Sequence, residues 1–124
     1  MSVQDVEAGS WEKEVIASDV LTLVEFWHEK CSWCLRLNPV FEELAEEFRG
    51  RVKSTKLNVL SKPDSREIAV RYGVMGTPTL MFFCKGRSIE TVVGLAAKDR
   101  LKETVREMVE KHERCIEQST ELKI

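Results

Sequence analysis

The apolar residues of the chain recur with the spacing of strands in some segments and of helices in others. Residues 20–27, VLTLVEFW, are almost continuously apolar or β-branched, which is typical of a central strand covered on both faces. Residues 51–59 predict another strand, and residues 78–94 predict a hairpin that turns at Lys85–Gly86. A short strand is also expected near residues 3–6.

Helical spacing begins at Ser32, where glutamates occupy the face opposite the apolar residues. Pro39 falls inside this helix and is expected to kink it, because proline has no N–H to donate. Three more helices are predicted: one with Ser10 as its N-cap, one over residues 63–73, and an amphipathic one from residue 96 to about 117. The apolar face of the last helix comprises Leu101, Val105, Met108, Val109 and Ile116.

The predicted order of elements is β-α-β-α-β-α-β-β-α. This alternation indicates an α/β fold, in which helices flank a central sheet on both faces and the last two strands are antiparallel. With 124 residues and no internal repeat or linker, the chain is expected to form a single domain over residues 1–124. Residues 111–124 would be its C-terminal helical extension.

Charge and hydropathy argue against several classes of partner. Nineteen basic and 21 acidic residues give a formal net charge of −2, which provides no basic excess for binding nucleic acid. No apolar run reaches the ~18–20 residues that a membrane span requires, and the N-terminus has no pattern of a secretory signal. We therefore expect a cytoplasmic protein, a monomer, without a cofactor.

Cys31 and Cys34 form a CxxC pair, for which three roles are considered: a redox couple, half of a metal site, or a structural disulfide. Cytosolic thiols are kept reduced, and a loop this short would stabilise the fold only weakly, so the structural role is disfavoured. A closed zinc site needs four ligands. The other candidates show no second paired spacing: His28, Cys84, His112 and Cys115.

The pair falls where a buried strand ends and a helix begins. A thiolate of Cys31 at that point would meet unpaired backbone N–H groups and the positive end of the helix dipole, with Lys30 adding a nearby cation. Cys34, one turn further along, would be less exposed and could resolve a mixed disulfide. Glu25, an acid within an apolar strand, is the candidate proton acceptor for Cys34.

Residues 10–110 resemble the thioredoxin family. The matching segments are LVEFWHEKCSWCLRLNPVFEELAEEF, STKLNV, YGVMGTPTLMFFCKG and VVGLAAKDRLKETV, in that order. The resemblance implies the thioredoxin fold with its mixed sheet, and a cis peptide bond before Pro78, which would face the cysteines. It also implies that the backbone of Thr77 pairs with substrate, that Glu25 is the family's buried acid, and that Lys56 pairs with Glu25.

The active-site motif departs from the family's usual Trp-Cys-Gly-Pro-Cys, because Lys30 precedes the first cysteine and Ser32 and Trp33 separate the two. The family's redox potential therefore cannot be assumed. Leu35 and Leu60 stand where a basic and an acidic residue are common. Together with an exposed Trp33 as substrate contact, they predict an apolar rim and put recognition by a standard thioredoxin reductase in question.

The predicted function is a thiol–disulfide oxidoreductase that reduces protein disulfides through a mixed-disulfide intermediate, with a thioredoxin reductase as a possible partner. Two alternatives are a binding module or metal or iron–sulfur carrier on the same scaffold, and a disulfide oxidase or isomerase. Outside the site, His28 is interpreted as a solvated loop residue, Cys84 as a small buried hydrophobe, and Cys115 as exposed on the last helix, where it could be modified or cross-linked.

Overall fold

A computed structural model describes residues 2–121, with side chains described as far as Ile116. Its strands are β1 (Val3–Val6), β2 (Leu21–Trp27), β3 (Val52–Asn58), β4 (Thr79–Cys84) and β5 (Arg87–Val93). Its helices are α1 (Ala8–Trp11, continued with π-helical spacing over Glu12–Ile16), α2 (Ser32–Glu47), α3 (Pro63–Arg71) and α4 (Lys98–Glu121). Within residues 2–121, no helix combines the length and apolar character needed to cross a bilayer.

The strands form one mixed sheet in the order β1-β3-β2-β4-β5. Strand β3 is parallel to both β1 and β2, whereas β4 is antiparallel to β2 and to β5. Strand β2 lies in the centre, and residues 21–26 are all buried, as the apolar run predicted. The α/β fold with a mixed sheet is therefore confirmed.

Each face of the sheet is covered by its own pair of helices. Odd-numbered residues of β2, such as Leu21 and Leu23, pack with buried residues of α2 and α4. Even-numbered residues, such as Val24 and Phe26, pack with α1 and α3. Side chains of a strand alternate between its two faces, so the side chain of Glu25 points toward α2 and α4.

Two helices, α1 and α4, begin at other residues than predicted. Helix α1 begins at Ala8 rather than after Ser10, because Glu7 is its extended N-cap residue and the Glu7 N–H donates to the Ser10 hydroxyl at 3.2 Å. Helix α2 begins at Ser32 as predicted and continues as one helix through Pro39. Helix α4 begins at Lys98 and includes residues 111–121 of the predicted extension. Residues 122–124 of that extension lie outside the described residues.

The expectation that Cys115 is exposed was wrong. Its side chain is only 8% exposed and forms a disulfide with Cys84, the last residue of β4. Cys115 lies seven residues after Met108, which returns it to the buried face of α4 after two turns. The sequence analysis assigned that face to Ile116 instead. Cys84 is buried as expected, but it is bonded rather than free.

The turn between β4 and β5 consists of Lys85 and Gly86, as predicted, with φ values of 49° and 80°. Two consecutive residues with positive φ are the signature of the tight hairpin turn whose twist matches that of the strands. A Cβ at Gly86 would lie 2.9 Å from the backbone oxygen of Ile16, so this turn also packs closely against the end of α1. Gly73 has a similar φ of 74° but open space around it.

These two glycines make a matched pair for a stability test. Gly73→Ala is expected to lower the free energy of unfolding by about 1 kcal/mol, since only the left-handed backbone is strained. Gly86→Ala adds a backbone collision and should cost about 2–4 kcal/mol. Urea unfolding of both variants measures the difference, and equal losses would show that the contact with Ile16 is not tight.

Candidate active site

The loop between β2 and α2 places the CxxC pair at the end of the sheet. Cys31 is the N-cap residue of α2, with an extended backbone (φ −92°, ψ 107°). The loop before it is ordered by its own hydrogen bonds: the Cys31 N–H donates to the His28 carbonyl at 3.2 Å, and the Lys30 N–H donates to His28 Nδ1 at 3.2 Å. His28 is therefore more than a solvated loop residue, because its side chain shapes the turn that presents Cys31.

The two cysteines are joined by a disulfide, with their Cα atoms 5.2 Å apart. The Cys34 N–H donates a hydrogen bond to Cys31 Sγ at 3.1 Å. The first backbone N–H groups of a helix lack carbonyl partners within the helix, and the helix dipole is positive there. This position therefore stabilises negative charge on the Cys31 sulfur when the disulfide is open.

The two sulfurs differ in accessibility. Cys31 is 8% exposed, whereas Cys34 is completely buried in the first turn of α2. A substrate disulfide can approach only the sulfur at the surface. The pair therefore has one sulfur at the surface and one inside the protein, which confirms the expectation that Cys34 is less exposed than Cys31.

Glu25 lies under α2 in the middle of β2 and has no exposed surface. Neither of its carboxylate oxygens has a hydrogen-bond partner among the residues that the structure describes. Burial disfavours the charged form, and it raises the pKa of the Glu25 carboxyl to about 7. At neutral pH this group can therefore both accept and release a proton.

Lys56 is the direct cross-strand neighbour of Glu25, in register on β3. Its ammonium lies 4.2 Å from the ring centroid of Trp27 and forms no hydrogen bond with the Glu25 carboxylate. The resemblance implied a pair, and the structure places the two residues side by side without a direct contact between their charged groups. The positive charge of Lys56 still lowers the pKa of Glu25, but by less than burial raises it.

The peptide bond between Thr77 and Pro78 is cis, as the resemblance implied. Strand β4 begins immediately afterwards, and its first residue, Thr79, pairs with Phe26 near the end of β2. Because β4 runs antiparallel to β2, its start lies at the same end of the sheet as Cys31. The structure thus brings the Thr77–Pro78 segment to the end of the sheet that holds the cysteine pair.

Apolar side chains are exposed around this end of the protein. Trp33 is 51% exposed, with the Arg36 guanidinium 5.1 Å from its ring centroid, and Leu35 and Leu60 are also exposed. The sequence analysis missed Met75, which is 98% exposed and is the most exposed of the large apolar side chains described. We call Trp33, Leu35, Leu60 and Met75 the apolar rim.

A shallow groove of about 350 Å³ adjoins the rim. Its lining includes His28, Leu60, Val70, Met75 and Thr77, so it runs from the loop before Cys31 to the segment before β4. Within residues 2–121, no group of three or more His, Cys, Asp or Glu side chains is arranged to hold a metal ion.

Comparison with known proteins agrees with this architecture. The family model for thioredoxin matches residues 2–107. The chain belongs to the thioredoxin family. The thioredoxin of Porphyra purpurea is 37% identical over 109 residues, which are 88% of this chain and 99% of that protein. The thioredoxin of Rickettsia bellii is 41% identical over 96 residues, covering 77% of this chain and 89% of that protein.

A third relative, the chloroplastic M-type thioredoxin of Pisum sativum, is 36% identical over 107 residues, covering 86% of this chain and 60% of that protein. Membership of the family, together with the Cys31–Cys34 pair, makes this protein a thiol–disulfide oxidoreductase. The active-site sequence Cys31-Ser32-Trp33-Cys34 distinguishes it from the Cys-Gly-Pro-Cys that is usual in the family.

The raised pKa of Glu25 predicts how stability depends on pH. The pKa is about 7 in the folded protein and near 4.5 in the unfolded chain, so the folded state binds more protons between these values. The contribution of Glu25 is fully present below pH 4.5 and is lost as the pH rises through 7, a change of about 3 kcal/mol.

Glu25→Gln stays neutral at every pH and should lack this loss. Urea unfolding of the oxidised proteins gives their free energies of unfolding at pH 5 and pH 8.5. From the lower to the higher pH, the value for Glu25→Gln is expected to rise by about 2–3 kcal/mol relative to that of the wild type. Glu110→Gln, at an exposed position on α4, serves as the control and should track the wild type. A constant difference between Glu25→Gln and the wild type would contradict the burial of an ionisable carboxyl.

Proposed function

We propose that this protein reduces disulfide bonds in other proteins, with Cys31 as the attacking thiolate. The observation that supports this most directly is the hydrogen bond from the Cys34 N–H to Cys31 Sγ at the N-terminus of α2. It places the more exposed sulfur where negative charge is stabilised, while the buried sulfur is held one turn away.

The reaction follows from this asymmetry. The Cys31 thiolate attacks one sulfur of the substrate disulfide, forms a mixed disulfide and releases the other substrate sulfur as a thiolate. Cys34 then loses its proton and attacks Cys31 Sγ, which forms the Cys31–Cys34 disulfide and releases the second substrate thiolate. Two electrons pass from the dithiol to the substrate, and the released thiolates take protons from the surroundings.

Glu25 is the proposed acceptor of the Cys34 proton. It lies on the sheet face that α2 covers, and its pKa of about 7 allows it to be partly ionised when the mixed disulfide forms. Lys56 favours that ionised form because its charge lowers the pKa. We therefore assign Glu25 to proton transfer and Lys56 to adjusting the charge state of Glu25.

The apolar rim and the Thr77–Pro78 segment are the proposed substrate surface. An extended peptide next to Cys31 could pair with the backbone of Thr77 and place apolar side chains against Trp33, Leu60 and Met75, all of which are exposed. The adjoining groove is open and partly apolar, which suits peptide side chains. This surface favours clients whose disulfides are flanked by apolar residues.

We propose a cytoplasmic monomer that is reduced again by a thioredoxin reductase, although Leu35 and Leu60 differ from the residues common in the family at those positions. Equilibration with glutathione buffers tests whether the protein works as a reductase: a potential well above that of the cytosolic glutathione pool would instead indicate an oxidase or isomerase.

Reduction of insulin by dithiothreitol measures the proposed activity. The wild type should accelerate the reaction, and Cys31→Ser should lower the protein-dependent rate by roughly 10³-fold or more, since no nucleophile remains at the helix end. Cys34→Ser should retain clients as mixed disulfides on Cys31 that dithiothreitol releases. Wild-type activity equal to that of Cys31→Ser would refute the proposal.

The role of the apolar rim has a separate test. Trp33→Ala is expected to raise the KM for a protein disulfide by about tenfold, because a large aromatic contact is lost, while its rate with a small aromatic disulfide changes little. Met75→Ser should also raise this KM, but by a smaller factor. Val20→Ala provides the control, since Val20 is 45% exposed but precedes β2 at the opposite end of the sheet. Similar KM values for all three variants would remove the rim from substrate binding.

A further inference from the structure

A second cysteine pair lies far from the active site. Cys84 ends β4 and Cys115 lies on α4, and their disulfide joins Cα atoms 6.7 Å apart across a sequence separation of 31. Strand β4 starts at the active-site end of the sheet, so its last residue is at the opposite end. This pair therefore belongs to a different surface of the protein.

The two sulfurs of this pair are not equivalent. Cys84 is completely buried, whereas Cys115 is 8% exposed, the same fraction as Cys31. Arg87, the neighbour of Cys84 in the β4–β5 hairpin, donates a hydrogen bond from Nη2 to Cys115 Sγ at 3.4 Å. A guanidinium beside a sulfur stabilises the thiolate relative to the thiol, so Cys115 has the environment of an attacking or attacked sulfur.

Cys115 also lines an open groove of about 340 Å³, together with Arg87, Ser88, Ile89, Lys111 and Arg114. Among these described lining residues, three of the six are cations and none is acidic. The Lys111 ammonium donates to the Ile89 carbonyl at 2.9 Å, which holds this side chain between α4 and β5. We call these six residues the basic groove.

We propose that Cys84 and Cys115 form a second thiol–disulfide centre, which exchanges at Cys115 with a small disulfide or thiol that carries carboxylates, such as glutathione. The volume of the basic groove suits a peptide of a few residues better than a folded protein. Its three cations suit carboxylates, and Cys115 supplies the only sulfur among the lining residues that the structure describes.

The exchange balances without any further reactant. When the pair is reduced, the Cys115 thiolate attacks glutathione disulfide, forms a mixed disulfide and releases one glutathione thiolate. Cys84 gives its proton to solvent and attacks Cys115 Sγ, which closes the Cys84–Cys115 bond and releases the second glutathione thiolate. Two electrons pass from the protein to glutathione disulfide, and the reverse sequence opens the bond.

The first test identifies the reacting sulfur. The full chain carrying Cys31→Ser and Cys34→Ser isolates the second pair, and it is reduced, desalted and treated with glutathione disulfide. With Cys84→Ser added, mass spectrometry should find one stable glutathione on Cys115. With Cys115→Ser added instead, Cys84 should remain unmodified in protein whose circular dichroism is native. Modification of Cys84, or none of Cys115, overturns the proposal.

The second test addresses the groove and leaves the cysteines in place. In the protein that keeps only the Cys84–Cys115 pair, the rate constant for reaction with glutathione disulfide is divided by the rate constant for the neutral bis(2-hydroxyethyl) disulfide. The same ratio measured for free cysteine is the reference. Substituting Arg87, Lys111 and Arg114 with glutamine should lower this ratio by about tenfold or more, and added salt should lower it in the unsubstituted protein. A ratio that neither change affects would show that the groove does not recognise carboxylates.

Discussion

The hydrogen bond between the Cys34 N–H and the Cys31 sulfur joins the fold of this protein to its chemistry. Helices usually begin with a Ser, Thr, Asp or Asn side chain that accepts such a bond. Here the atom that caps α2 is also the sulfur that we propose as the attacking atom. A thiolate is a stronger acceptor than a sulfur within a disulfide, so the start of α2 interacts more favourably with the reduced, attacking form. The position of β2, whose buried run ends at Phe26, determines where that helix can begin.

The buried carboxyl of Glu25 lowers the stability of the folded protein. A carboxyl that is buried without a hydrogen-bond partner destabilises the folded protein whenever it is ionised. An apolar residue at this position of β2 would pack against α2 without that cost. The acid is nevertheless placed beside Lys56, on the face of the sheet that α2 covers. In the mechanism proposed above it accepts the proton of Cys34, so the local loss of stability would fall at the position where the chemistry benefits from it.

Much of the fold and of the candidate site could be predicted from the sequence, because the relevant signals are local. The apolar run of β2, the helical spacing of α2 and the Lys85–Gly86 turn each depend on a few neighbouring residues, and the flanking apolar residues indicated that Glu25 is buried. Contacts between distant segments left no such signal. The Lys56 ammonium against Trp27 depends on strand register, and the exposure of Met75 depends on how the loop before β4 packs. The disulfide to Cys115 was missed because the buried face of α4, correctly predicted at Leu101, Val105 and Met108, was extended to Ile116 instead of Cys115.

The separation of the two cysteine pairs has a physical consequence of its own. Strand β4 spans about 17 Å at ~3.4 Å per residue, with the active-site end before Thr79 and Cys84 at its other end. Direct exchange between the pairs within one molecule would require the sheet to open, so two reactive pairs, as proposed, would each react with their own partners. The surfaces around them differ accordingly: exposed apolar side chains surround Cys31, whereas Arg87, Lys111 and Arg114 line the groove at Cys115. On the two proposals made above, apolar contact would select polypeptides at Cys31 and positive charge would select small anions at Cys115, so surface chemistry alone would keep the two thiol–disulfide reactions apart.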